Sequence, residues 1–306
     1  MGVARYALSA VFLLLSAGAA AGNKCDPLWD KPAPPQHIIA MNQHAADMLL
    51  ALDAGPQMLG VSYIDDSAEA LKSGRYHGIP VFSAKYPATE KLIASGADFV
   101  VAGFSSAFMA SMGGQDDLQR AGIGSYLMAF ACERQAYSGF DSIKMDLQRL
   151  GRVLGREKEA DAAVARIDAT LAQVKSLPPL PRKPVIFYLD SQSDTLMSQG
   201  KKGFMTEVIT LAGGENVFIN MPVAGIHVSP ETLLDKQPDY IILADAVWSP
   251  AEKKKAWLAN HPALSHLEAV KNRRYIVIPF SGVYPNVKSP DVLLTVASAI
   301  RSDESD

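Results

Sequence analysis

The run REKEADAAVARIDATLAQVKS, residues 156–176, decides how the rest of the chain is read. Ala160, Ala163, Val164, Ile167, Leu171 and Val174 recur at steps of three and four, the apolar stripe of an amphipathic helix. Glu157, Glu159, Asp161, Arg166 and Lys175 fall on its other faces. About twenty residues at ~1.5 Å rise span roughly 30 Å, the width of a domain. Leu177-Pro178-Pro179-Leu180-Pro181 stops the helix, because proline has no amide hydrogen and clashes with the preceding turn. Another helical stretch begins at Phe140. Gly151 and Gly155 are expected to break it, so that Asp141–Leu154 packs on the first half of the chain and Arg156–Ser176 alone acts as a strut. Strands alternate with helices on both sides. The reading is a stiff rod joining two α/β units; the competing one is a surface helix of a single large domain.

Working outward, Ile38–Met41 reads as a short apolar strand, followed by Asn42-Gln43-His44 and a helix Ala45–Leu52. Strands are expected at Met58–Tyr63, Ile79–Phe82, Phe99–Ala102 and Ser125–Met128. The helices between them run from Asp65 or Asp66 to Leu71, from Tyr86-Pro87 to about Ala94, and over Asp116–Ala121. After the proline-rich break the pattern restarts. Strands are expected at Val185–Leu189, Val217–Ile219, Tyr240–Leu243 and Tyr275–Ile278, and helices at Gly203–Leu211, Pro230–Asp235, Ala251–Leu258 and Pro290–Ile300. Such alternation gives parallel sheets covered by helices. The fold class is therefore α/β: two Rossmann-like lobes with parallel sheets joined by a single long backbone helix. The expected division is a leader over 1–22, a first lobe over 23–138, a helical connector over 139–178 and a second lobe over 179–306, with a polar tail from Ser302. Ligands of such sheets sit outside the carboxyl ends of the strands, here in a cleft shared by two lobes.

The chain has 306 residues, 48% hydrophobic and 20% charged, enough for a sizeable core, and its net charge of −3 gives no footprint for a nucleic-acid partner. Arg5, the apolar run Tyr6–Leu15 and Ala19-Ala20-Ala21 form an export leader, too short to span a bilayer, with cleavage after Ala21 or Gly22. Cys25 follows Asn23-Lys24 rather than small residues, which argues against a lipid anchor. The expected product is an exported, soluble monomer. Its two cysteines, Cys25 and Cys132, are expected to pair in an oxidising compartment, the other reading being two separate thiols.

The strand-end loops carry Tyr63, Tyr86, Phe104, Phe108, Trp248, Phe280, Tyr284 and Asn286, groups that grip a bulky organic ligand by stacking and hydrogen bonds. Asn42 and His44 stand at a strand-to-helix turn and His227 precedes Val228-Ser229-Pro230-Glu231, so all three are candidates for the cleft. Lys202, beside the helix start at Gly203, is a candidate for meeting an anion. The chain has no GxSxG, P-loop, HExxH or strand-following GxGxxG, so no cofactor or catalytic residue is assigned. Two readings stay open beside organic-ligand binding. One is a bare metal ion held by His44, His227 and an aspartate; the other is an exported enzyme using Asp190, Asp194 and Lys202.

The segments Ile39–Leu52 with Gly60-Val61-Ser62-Tyr63, Thr89–Ile93 with Ala97–Val100, Leu150–Gly155, Leu211–Val217, and Val228–Glu231 with Pro238–Ile242 occur in an order and spacing that resembles one family. It is that of the periplasmic binding proteins for iron-siderophore, haem and vitamin B12 import, and the resemblance spans about residues 36–300. It implies capture of a metal chelate, a ferric siderophore foremost, and delivery to an inner-membrane ABC permease with its ATPase. It also implies that Glu90 and Glu231, one in the first turn of a helix on each lobe, dock onto permease arginines. The Tyr86-Pro87 and Gly103–Phe108 loops with the two cysteines are similar to a metal- or iron-chelate branch, while a related branch takes a deazaflavin precursor. The cleft loops lack the arginine pair of hydroxamate binders. Cobamide or another organic cofactor precursor is the alternative ligand.

Overall fold

The computed structural model describes residues 25–66, 74–109, 114–133 and 138–302. The expected leader 1–22, the helix expected to reach Leu71 and the final residues 303–306 lie outside the described residues.

Ile38, Ile39 and Ala40 form β1 and have no solvent exposure. A strand apolar on both faces belongs in the middle of a helix-covered sheet, and β1 lies there. Around it run β2 (Met58–Ser62), β3 (Val81–Ser83), β4 (Phe99–Ala102) and β5 (Gly124–Leu127), all parallel, in the order β3-β2-β1-β4-β5. Asp98 fixes the register at the entry of β1 by accepting the amides of Gln36 and His37 at 2.8 and 2.9 Å. The strand order reverses between β1 and β4, so the ends of these two strands flank a crevice.

The second lobe repeats the logic. β6 (Val185–Leu189), β9 (Glu215–Asn216), β11 (Tyr240–Asp245) and β12 (Tyr275–Pro279) are parallel, in the order β12-β11-β6-β9. Its reversal lies between β6 and β11. Between β6 and β11 in the chain lies a small antiparallel sheet, β10-β8-β7, made of β7 (Ser191–Gln192), β8 (Leu196–Gln199) and β10 (Gly225–Val228). The sequence reading assigned no strand to these three segments. Its strands are two to four residues long and half polar, and β10 joins from a distant segment, so no local periodicity marks it. The extended stretch expected at Val217–Ile219 is a turn. Asn216 Oδ1 accepts the Phe218 amide at 3.1 Å and its carbonyl accepts the Ile219 amide at 2.9 Å, which bends the chain.

The two central helices are Gly139–Leu154 and Glu157–Lys175. Gly151 does not break the first of them. A Cβ there would stand 2.7 Å from Ala160 Cβ, so the glycine is what lets the two helices pack closely. The break falls at Gly155, in the left-handed conformation at φ 64°. The first helix also does not confine itself to the first lobe. The Gly139 amide donates to Glu207 Oε2 at 2.7 Å, and the Phe140 and Phe204 rings lie 5.4 Å apart, so its start is fastened to the second-lobe helix Phe204–Ala212. The strut buries Ala160, Ala163, Ile167 and Val174. It packs against Gln43–Ala51 of the first lobe and against Phe204–Ala212 and the final helix Ser289–Ser302 of the second. One apolar cluster runs from Ile38 through Ile167 to Ile186. Cys25 and Cys132 form a disulfide.

Candidate ligand-binding cleft

Asn42 opens the helix that follows β1. Its Oδ1 accepts the Ala45 amide at 3.3 Å and the Gly103 amide at 3.1 Å, which caps the helix and ties it to the loop after β4. Both lobe-one strand ends at the reversal point are thereby fixed together. His44 follows, 2% exposed, with both ring nitrogens lacking a hydrogen-bond partner among the described residues. Burial pulls its imidazole down to about 4, against a smaller opposing pull from Asp66, so it is neutral at pH 7. Phe104 meets its ring edge-on at 4.9 Å, and Phe280 and Tyr284 stand 6.2 and 6.3 Å away. Phe104 and Tyr284 in turn form an edge-to-face pair at 5.3 Å, one ring from each lobe.

These two rings wall a cavity of about 390 Å³ between the lobes. Ser105, Ser106, Phe130 and Ala131 complete the lobe-one side, and Lys202 and Ala224 the lobe-two side. Lys202 is the single charged side chain among the described residues lining it. A second aromatic group adjoins it. Tyr63 and Tyr86 pack at 4.9 Å, Lys85 Nζ lies 4.3 Å over the Tyr63 ring, and Ser106 Oγ bonds Tyr86 Oη at 3.2 Å. Tyr63 holds φ at 46°, a conformation unfavourable for a bulky residue and characteristic of functional sites. Phe108 packs against the outer core of the first lobe, with Tyr86 beside it.

A bridge crosses from lobe to lobe next to this group. Trp248, 50% exposed, donates Nε1 to Asp65 Oδ1 at 3.0 Å and packs on Phe280 at 5.3 Å, and the Val247 amide donates to the Asp65 carbonyl at 3.0 Å. Burial raises Asp65 to about 6, while the Trp248 bond and Lys85 pull the other way. Asp66, wholly buried, accepts from Gln43 Nε2 at 2.8 Å, Arg75 Nη1 at 2.5 Å and the Ser281 amide of the second lobe at 2.9 Å. On the lobe-two side, buried Lys254 donates Nζ to the Ala244 carbonyl and, at 2.8 Å, to the Ser249 carbonyl, which holds the loop that carries Trp248.

The remaining candidates are more dispersed. His227 is exposed on β10, its Nδ1 3.3 Å from Thr195 Oγ1. Asp190 is buried and accepts the Tyr188 hydroxyl at 2.9 Å, Asp194 is exposed in the β7–β8 turn, and neither lines the cavity. Among the described residues no group of three or more His, Cys, Asp or Glu is placed to hold a metal ion. Glu90 and Glu231 are exposed in the first turns of Thr89–Ala94 and Pro230–Leu234, one on each lobe. Hydrogen bonds from its own amide and from Ser229 hold the Glu231 carboxyl below the usual range. Among the described residues no helix is long and apolar enough to cross a membrane. Sequence reasoning missed Phe130, although it lies just past the carboxyl end of β5, where the strand-end rule applies. It also missed the Asp65–Trp248 bridge, whose partners lie 183 residues apart and leave no local signal.

Comparison with known proteins gives three kinds of likeness. Residues 38–281 match the family described as "Periplasmic binding protein". The chain is 23% identical over 237 residues to the vitamin B12-binding protein of Vibrio campbellii, covering 76% of this chain and 79% of that one. A periplasmic binding protein from Veillonella parvula superimposes with a TM-score of 0.78 at 22% identity, over 90% of this chain and 94% of that one. An ABC-type Fe3+-hydroxamate transport system protein from Saccharomonospora viridis does so with a TM-score of 0.69 at 20% identity, over 88% and 94%.

Proposed function

The chain belongs to the periplasmic binding protein family, and from that premise we propose that it captures an anionic metal chelate, a ferric siderophore foremost, between its lobes and hands it to an inner-membrane ABC permease. The observation that carries this reading is the cavity of about 390 Å³ walled by Phe104 and Phe130 from one lobe and Tyr284 from the other, with Lys202 as the one cation among the described residues that line it. That volume falls within the ~300–1,000 Å³ range of small-molecule sites. Rings contribute about 0.5–1.5 kcal/mol each beyond their buried area when they stack edge or face on a ligand. Among the described lining residues the charge is one ammonium with no carboxylate opposite it, which favours a ligand of negative charge, as a ferric catecholate or carboxylate chelate has. The mechanism is binding and release; members of this family are substrate-binding proteins rather than enzymes.

The lobes move little in this account. A shared apolar cluster, the strut and the Asp65–Trp248 bridge all join them, so opening widely would expose core. Glu90 and Glu231 present one exposed carboxylate per lobe to the permease. A cobamide is the second reading, favoured by the vitamin B12-binding relatives. Native mass spectrometry of protein purified from iron-starved cells tests the proposal. A bound species carrying iron supports it; a cobalt corrinoid supports the second reading, and an enzymatic turnover product on the protein would defeat both.

A further inference from the structure

A second cavity, of about 460 Å³, lies where three parts of the molecule meet. Asp47 comes from the first-lobe helix Gln43–Ala51, Arg166 and Thr170 from the strut, and Lys288 and Asp291 from the start of the final helix, with Arg75 closing one side. Within the described residues, the side chains of Arg166 and Lys288 form no hydrogen bond or ion pair. The first turn of the 14-residue final helix also faces this region through Pro290 and Asp291, and a helix N-terminus favours negative charge. These features ask for an anion. Asp47 asks for something more specific. It is 3% exposed, its Oδ1 takes the Tyr76 hydroxyl at 3.0 Å, and its Oδ2 has no hydrogen bond, the Arg75 Nη1 standing 3.6 Å away. Burial raises it to about 6, with Arg75 and the Tyr76 bond opposing, so at pH 7.5 it is an ionised acceptor waiting for a donor.

An ordinary oxyanion would satisfy the cations and repel Asp47. A protonated one satisfies both. We infer that this junction binds a hydrogen phosphate group, its charged oxygens between Arg166 and Lys288 and its O–H donated to Asp47 Oδ2. Sulfate, fully ionised near neutral pH, has no proton to give. The exposed carboxylate of Asp291 opposes any anion here, which strengthens the requirement for a donor on the ligand. The site draws on both lobes and the strut, and it is separate from the aromatic cleft.

The test is isothermal titration of the mature protein at pH 7.5 with inorganic phosphate, glycerol 3-phosphate and sulfate at matched ionic strength. Saturable one-site binding of inorganic phosphate, which keeps a proton at this pH, is expected. Glycerol 3-phosphate, whose phosphate loses its last proton at about pH 6, and sulfate should both bind weaker by about tenfold or more, because a buried acceptor is left unpaired. Lys288→Ala and Arg166→Ala should each weaken phosphate about tenfold, as loss of a charge-assisted hydrogen bond does. Asp47→Asn should bring phosphate and sulfate within about threefold of each other. Absence of saturation with inorganic phosphate, equal affinity for sulfate or for the monoester in the parent, or unchanged affinity in the Lys288→Ala protein would each overturn the inference. The last of these is independent of any folding defect in Asp47→Asn.

Discussion

The disulfide offers the sharpest stability prediction, because it also supports the wall of the interlobe cavity. Cys25 and Cys132 are separated by 107 residues. Closing a loop of that length removes about 16 cal/mol/K of entropy from the unfolded chain, or about 4.8 kcal/mol at 25 °C. For a protein of this size, at about 2.1 cal/mol/K of unfolding entropy per residue, one kcal/mol moves the melting temperature by about 1.5–2 °C. The Cys25→Ser, Cys132→Ser double variant should therefore melt about 7–10 °C below the parent. The effect should also be local. Cys132 ends the four-residue helix Ala129–Cys132, which carries Phe130 and Ala131 of the cavity wall. A helix that short has no stability of its own. It is held by the disulfide and by Asp146 Oδ1, which accepts the Ala129 amide at 2.7 Å. Hydrogen exchange should show faster exchange at the Ala131 and Glu133 amides, now bonded to Met128 and Ala129. A melting shift under about 3 °C together with unchanged protection there would refute the reasoning.

Three further outcomes are expected. Asp146 is wholly buried and burial pushes its carboxyl up to about 7, against the bonds from Tyr126 and Ala129. Its folded value exceeds the unfolded ~3.9, so the native state keeps the proton longer and stability falls as pH rises from about 4 to 7. Asp146→Asn removes that contribution, and the difference in urea stability between pH 5 and pH 8 should change by about 3 kcal/mol relative to the parent; an unchanged difference contradicts the assignment. Replacing Glu90 and Glu231 by alanine should abolish uptake in cells while chelate binding by the purified protein stays intact, and surviving uptake removes the docking role. Lys202→Ala should weaken an anionic ferric chelate by about five- to tenfold and flatten the salt dependence of binding, whereas equal loss for a neutral chelate would mean that the lysine acts by shape rather than charge.

The strut, the two parallel sheets and the order of elements were legible because each rests on local pattern. Ile38–Ala40 and Val185–Leu189 are apolar runs, and the stripe Ala160-Ala163-Ile167-Val174 is periodic. What escaped was set by distant partners. Gly151 looks like a breaker in sequence, yet it is a helical residue whose missing Cβ makes room for Ala160. The β7–β8–β10 sheet depends on pairing between segments that carry no strand signal of their own. In the cleft, the strand-end rule drew out Phe104 and Tyr284 and the helix start at Gly203 drew out Lys202, and the fold brings all three to one cavity. The same rule could not say that His44 would lie beneath Phe104 and Tyr284, or that Asp65 would reach across to Trp248, because both depend on how two lobes meet.

The central claim is that the cavity between Phe104, Phe130, Tyr284 and Lys202 is where the ligand binds. Its most direct test is a titration of the parent and of Tyr284→Ala with a ferric tris-catecholate chelate, followed by calorimetry and by tryptophan fluorescence. The account predicts one-to-one binding by the parent with quenching of Trp248, and an affinity lower by about tenfold or more when the Tyr284 ring is removed. Saturable binding that is as tight in Tyr284→Ala as in the parent would place the ligand elsewhere and contradict it.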